Sequence, residues 1–407
     1  MLIGIDASRA FVKERTGTEN YSLNLIKALA EIDGKNEYRL YVRNTHYRLS
    51  NTDWPNNFKF VEIFWPRFWT QIGLAFEVLK NPPDVLFIPA HTLPVIPTLA
   101  RPGLARLKKT KCVVTIHDLG YEFLPQYHSF WSKIYLNKST EYAARFATRL
   151  IAVSNSTKAD LVSKLKADPG KIDVVYEGVD REKWKVEPCL PAGRSGKWKV
   201  EEILNKYNLK TPYILFVGTV QPRKNLERLI EAFSKVIRKY GNREIGTKNL
   251  KIPSPNNLST LQLVIVGKLG WMYEDILKAP KKFAVQDRVK FLDYVIDADL
   301  PQLYQGANLF VMPSLAEGFG LPLLEAMASG IPIASSDISV LEEIAGDAAI
   351  YFNPYNVDQM AGAIMKVLTD DWLKVRLVKV GSQRVKEFSW ERCAKETLEV
   401  IEKARKS

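Results

Sequence analysis

The sequence predicts an α/β protein of two doubly wound parallel-sheet domains facing one another across a cleft. Three observations predict it. The chain has 407 residues, more than one hydrophobic core ordinarily serves, so two domains are expected. Short apolar, β-branched runs alternate with segments of helical period in both halves, as in parallel sheets covered by helices. A polar stretch with no strand, "DREKWKVEPCLPAGRSGKWKVEEILNKYNLKTP", separates the halves.

In the first half, strands are expected at "LIGID", "YRLYVR", "FKFVEI", "VLFIP", "CVVTIH", "LIAVS" and "IDVVYEG". In the second they are expected at "YILFVG", "LQLVIVG", "VKFLDYV", "LFVMPS", "IPIASS" and "AAIYFN". Each run is near-continuously apolar, as strands buried on both faces are. The expected organisation is a first domain over residues 1–180, a linker over 181–211 and a second domain over 212–390. The Asn-, Ser- and Pro-rich stretch "GNREIGTKNLKIPSPNNLST" reads as a surface loop.

Composition narrows the function. With 46% hydrophobic and 25% charged residues, this is an ordinary globular composition. No apolar run reaches the roughly 20 residues that span a bilayer. The opening "MLIGIDAS" reads as a buried strand and not as a signal peptide. Three scattered cysteines suit reduced thiols in the cytoplasm and not a zinc site. A net charge of +13 suits acidic partners, or simply a soluble basic surface. No nucleic-acid-binding motif accompanies it, so nucleic acid is not an expected partner.

Four segments carry chemistry. In "MPSLAEGFGLPLLEAMASG", a strand leads through a glycine turn into a helix, with Pro322 in its first turn and Gly330 at its stop. Backbone amides of Gly318, Phe319 and Gly320 are expected to meet ligand oxygens at the helix start. Glu317 and Glu325 flank the turn, and carboxylates bind hydroxyls well and phosphates badly, so a sugar or ribose is expected. A glutamate early in a helix also stabilises its dipole without any ligand.

In "YILFVGTVQPRKNLERLIEAF", a helix is expected to begin near Asn225 as N-cap. Arg223 and Lys224 then sit where the dipole opposes positive charge, which an anion such as a diphosphate would offset. Two solvated surface cations are the plain alternative. His117 ends the strand in "CVVTIHDLGYEFLP", placed either to meet a substrate hydroxyl or proton, or to bond backbone as a structural histidine. Gly17 lies in a loop ahead of a helix, where an ordinary turn explains it equally well.

Together these motifs resemble the retaining family 4 glycosyltransferases of the GT-B fold, which pair two Rossmann-like domains. The "EGFGLPLLEAMASGIPI" segment is similar to that family's signature of two glutamates, and "GTVQPRKN", "TIHDL" and "AAIYFNP" follow in the family's order. The resemblance implies that Glu325 holds the donor ribose and that Glu317, with Gly318, Phe319, Gly320 and Leu321, faces the donor sugar. Arg223 and Lys224 would stabilise the diphosphate, and His117 would contact the sugar near the reacting carbon. Gly17 would let its loop approach the phosphate and acceptor, and Tyr294 and Val295 would border the base. Thr219 stands where many relatives carry arginine, and Arg223 is expected to supply that charge.

The similarity is greatest to mannosyltransferase-like members. It implies a hexose transfer, with GDP-mannose the favoured donor and a UDP- or ADP-sugar the other choices. No metal and no resident cofactor is expected. The acceptor would be a glycan or lipid-linked glycan, with residues 391–407 forming a helix that crosses back to the first domain. The aromatic stretch "FWPRFWTQIGLAFEVLK" reads as a core helix or as a contact with anionic membrane at the inner face. An epimerase, a sugar phosphorylase or a non-catalytic nucleotide-sugar binder on the same architecture is the competing reading.

Overall fold

A computed structural model describes residues 1–12, 14–43, 54–65, 67–90, 92–94, 110–119, 130–184, 195–241 and 258–407. For residues 130–137, 195–199, 240–241 and 259 only the backbone is described. The chain divides into two compact units, Met1–Gly178 with Phe388–Ser407, and Val179–Glu387.

The first unit holds a seven-stranded sheet: β1 (Leu2–Asp6), β2 (Glu37–Arg43), β3 (Phe58–Ile63), β4 (Val85–Ile88), β5 (Lys111–Ile116), β6 (Arg149–Ala152) and β7 (Ile172–Val174). The second holds six strands: β8 (Tyr213–Val217), β9 (Gln262–Val266), β10 (Val289–Leu292), β11 (Leu309–Met312), β12 (Ile333–Ser336) and β13 (Ala349–Phe352). All their ladders are parallel. The orders are β3-β2-β1-β4-β5-β6-β7 and β10-β9-β8-β11-β12-β13. Both sheets therefore reverse direction once, between β1 and β4 and between β8 and β11. Such a reversal opens a crevice at the carboxyl ends of the strands, where ligands bind in this architecture.

The central strands form where expected because both their faces are covered, whereas the edge strand β3 is partly exposed. Every residue of β4, β9, β11 and β12 is buried. In the first unit one face packs Ile3 and Ile5 against Tyr21, Leu25, Val400 and Ile401; the other packs Leu86, Val114 and Leu150 against Trp69 and Leu161. The final helix, Trp390–Lys406, buries Cys393, Ala394, Thr397, Val400, Ile401 and Ala404, one helical stripe. It belongs to the first unit.

The expected linker departs from the structure. Residues 185–194 lie outside the described residues, but helices Arg181–Trp184 and Ser195–Lys206 flank them and belong to the second unit. Trp184 packs edge-on against Tyr304 with centroids 5.2 Å apart, and Lys206 and Tyr207 reach Asp299 at 2.5 and 2.7 Å. Val200, Ile203 and Leu204 recur at helical spacing inside the polar composition that reads as a linker. Most of the loop expected at 241–260 lies outside the described residues; its last three form a 3₁₀ turn, Leu258–Thr260.

Candidate functional site

The richest cluster of the second unit stands at its β8/β11 reversal. After β8 the chain passes Gly218 and Thr219 into a 3₁₀ turn, Pro222–Lys224, that carries both cations. Asn225 then adopts a left-handed conformation at φ 57°. Its side chain does not cap the next helix, Leu226–Gly241, as the sequence predicts. The amide donates instead to the carbonyls of Pro313 (3.0 Å) and Pro354 (2.7 Å), while its oxygen accepts from Arg228 (2.9 Å). Asn225 thus ties the β8 loop to the loops after β11 and β13. The Leu315 amide adds a bond of 2.9 Å to the Arg223 carbonyl.

These bonds bring Arg223, Lys224 and Glu317 together. Lys224 Nζ lies 2.5 Å from one Glu317 oxygen, and Arg223 Nη1 lies 3.9 Å from the other. Lys224 is 8% exposed. Burial disfavours the Glu317 carboxylate, but Lys224 and Arg223 outweigh it and hold the carboxyl below the ordinary glutamate range. The three side chains form one ionic cluster. Glu317 faces the two cations, where the resemblance implies that it faces a sugar.

Gly320, at φ 102°, opens the helix Leu321–Ala328 in a conformation that side chains resist. A Cβ there would also sit 2.9 Å from Leu341 Cδ2. Gly318, Phe319 and Gly320 are buried at the turn, and Leu321 begins the helix. Gly330, at φ 66°, ends it as expected.

Glu325 lies one turn inside this helix and accepts a hydrogen bond of 2.8 Å from the Tyr304 hydroxyl. Burial pushes its carboxyl up to about 7; the Tyr304 bond and the Lys183 charge oppose that only in part. Tyr294 and Val295 follow β10 at the same carboxyl edge. Val295 is buried, and Lys268 lies 4.9 Å from the centroid of the Tyr294 ring.

In the first unit, His117 follows β5 and is 8% exposed. Its Nδ1 lies 3.1 Å from Glu177 Oε1 and its Nε2 2.9 Å from the Pro89 carbonyl. Burial would lower its pKa, but Glu177 more than offsets this and raises it. Both ring nitrogens thus meet groups that the fold holds in place. Proton transfer to or from a substrate would require one of those contacts to break.

Gly17 is not in a loop: it is the first residue of the helix Gly17–Ile32, capped by Thr16, whose backbone amide donates to Glu19 at 3.1 Å. A Cβ on Gly17 would meet nothing within 4 Å. At the β1/β4 reversal a cavity of about 230 Å³ is lined by Asp6, Ser8, Arg9, Glu19, Arg43 and Thr70, among others. Burial raises the Asp6 carboxyl above its ordinary value, against the Ser8 bonds and the charges of Arg9 and Arg43.

The sequence reading missed Tyr304, Lys183, Glu177 and Asp6 in these roles. A glutamate ending the apolar run "IDVVYEG" was a signal for Glu177; Tyr304 sits in a short helix that reads only as core.

Apart from Asp6, Ser8 and Arg9, the residues named in the two sites fall in segments that match known family models. Residues 15–183 match Glycosyltransferase Family 4, and residues 199–384 match Glycosyl transferases group 1. The chain belongs to the family 4 glycosyltransferases.

This glycosyltransferase is 29% identical over 292 residues to O-antigen chain mannosyltransferase B of Escherichia coli, covering 71% of this chain and 69% of that one. It is 26% identical over 411 residues to the serotype-specific mannosyltransferase WbdA of Escherichia coli. That match covers 96% of this chain but only 46% of WbdA. Among solved structures, sucrose-phosphate synthase from Thermosynechococcus elongatus aligns with a TM-score of 0.73 at 20% identity, over 99% of this chain and 98% of that one. Anabaena HepE in complex with UDP-glucose aligns at 0.72 and 16% identity, over 99% of both. These likenesses place the chain in the GT-B fold. Among the described residues, no cluster of His, Cys, Asp and Glu could hold a metal ion, and no helix is long and apolar enough to cross a membrane.

Proposed function

We propose that this glycosyltransferase moves mannose from GDP-mannose to a hydroxyl of a glycan or lipid-linked glycan, with retention and without a metal. The observation that carries the reading is the Arg223–Lys224–Glu317 cluster at the β8/β11 reversal, with Glu325 on the following helix. Arg223 and Lys224 stand side by side against Glu317, and paired cations of this kind suit a diphosphate. A carboxylate in the next helix suits ribose hydroxyls. The mannosyl donor is supported by the relatives' names, and retention by the family resemblance.

In the proposed step the bond between C1 of the sugar and the β-phosphate oxygen breaks. Arg223 and Lys224 stabilise the negative charge that grows on the departing diphosphate. A bond forms between C1 and the acceptor oxygen on the same face, and the acceptor's proton passes to the departing phosphate. On the first unit, Asp6 is assigned to acceptor hydroxyls. His117, fixed by Glu177, is assigned to orienting substrate.

Thermal shift with GDP, UDP, ADP and their sugar conjugates tests this on wild type and Glu325→Ala. GDP and GDP-mannose should stabilise wild type and act much less on the variant. Stabilisation by UDP or ADP instead would replace the base, and no response to any nucleotide would remove the reading.

A further inference from the structure

The first unit exposes an aromatic strip on a well-anchored element. Within thirteen residues, Phe64 is 67% exposed, Trp65 44%, Phe68 72%, Ile72 40% and Phe76 64%. The segment runs from the end of β3 into a π-helix, Trp69–Leu74, and on through the helix Ala75–Lys80. It is held in place from below. Trp69 is 1% exposed and donates from its ring nitrogen to the Ile63 carbonyl at 3.2 Å; Leu74, Ala75 and Val78 are buried with it. A Cβ on Gly73 would lie 2.9 Å from Trp65 Cβ, so the two chain segments are in direct contact.

Phe68, Ile72 and Phe76 recur every four residues and are all exposed. Phe68 adopts a left-handed conformation, φ 52° and ψ 40°, which bulky side chains avoid. Nothing is buried in return, because the ring stands in solvent. Backbone strain that no packing explains, on a π-turn, is a feature that accompanies function.

We infer that this strip is a docking surface for an anionic phospholipid bilayer. The apolar side chains are flanked by exposed Lys59, Arg67 and Lys80, which outnumber the acidic Glu62 and Glu77 of the same segment, on a chain of net charge +13. Aromatic and aliphatic side chains bounded by cations are how interfacial segments bind anionic lipid. A second copy of the chain fits less well. The five side chains offer on the order of 600 Å² at about 150–250 Å² for a whole aromatic residue, below the roughly 800 Å² per partner of a standard protein interface. The same π-helix carries Thr70, which lines the Asp6 cavity. One short element thus borders both the lipid-facing strip and a polar pocket. The inference goes beyond the transfer reaction and does not depend on which nucleotide sugar is bound.

Flotation of the full chain with vesicles of phosphatidylglycerol and phosphatidylcholine, against phosphatidylcholine alone, tests it. Wild type should bind the anionic vesicles at least tenfold more tightly, with a blue shift of tryptophan emission and weakening in high salt. The double variant Phe68→Ser with Phe76→Ser should lose at least tenfold of that binding. Its melting temperature should match wild type, since both rings are already in water. Equal binding by the variant, or no preference of wild type for anionic vesicles, overturns the proposal. A concentration-dependent dimer that the same substitutions disperse overturns it in favour of a second copy.

Discussion

Glu317 and Glu325 have the same side chain and stand in one strand–turn–helix unit, yet their surroundings give them opposite character. Glu317 touches two cations, which hold its carboxyl below the ordinary range; Glu325 accepts from a tyrosine hydroxyl, and burial lifts it to about 7. A ribose diol donates best to an ionised carboxylate, so nucleotide affinity should rise between pH 6 and 8 as Glu325 loses its proton. Calorimetric titration across that range checks this, and Glu325→Gln should flatten the profile; affinity that rises toward low pH in wild type would contradict the ribose assignment. The linked stability effect has the reverse sense. The folded state holds this proton more tightly than the unfolded chain, so this contribution is full below pH 4.5 and is lost as pH rises to about 7. The motif's residues were legible because carboxylates, cations and glycines at those spacings have few other uses together. Their pairing was not, because Asn225 stitches loops from three strands that lie far apart in sequence.

The helix Gly17–Ile32 separates a functional glycine from a structural one. Gly17 has an ordinary φ, its Cβ position is open, and glycine lowers helix stability by about 0.5–1 kcal/mol relative to alanine in an interior position. Gly17→Ala should therefore leave the melting temperature unchanged or slightly higher. If the glycine serves ligand approach, kcat/KM should fall at least tenfold in the same protein. Unchanged turnover would return Gly17 to being only a helix start. Central strands such as β4, β9 and β11 were legible because a strand buried on both faces needs a nearly unbroken apolar run. The helices flanking 185–194 were not, since each is mostly polar and, among the described residues, each buries a single side chain, Trp184 and Leu204.

The chain leaves the first unit at Val179 and returns at Phe388, where the last helix covers β4, β5 and β6. Gly178 makes the return possible: a Cβ there would sit 2.2 Å from the Trp390 amide nitrogen. Val400 and Ile401 are fully or almost fully buried by this packing, worth about 1.5–3 kcal/mol each. Against a typical total stability of about 5–15 kcal/mol, loss of the whole stripe is large. Truncation after Glu387 should therefore unfold or loosen the first unit, and hydrogen exchange should show β1, β4 and β5 losing protection while β8, β9 and β11 keep theirs. Loss confined to the second unit would contradict the assignment of this helix.

What the amino-acid order settled is local and compositional: apolar runs long enough to be strands, a glycine turn ahead of a helix, and carboxylates and cations beside strand ends. These follow from burial and backbone geometry over a few residues. The pairing of Lys224 with Glu317, the seating of His117 against Glu177 and the raised carboxyl of Glu325 required the folded chain. Each depends on distance and desolvation between groups tens of residues apart, quantities that only the packing of one element on another sets.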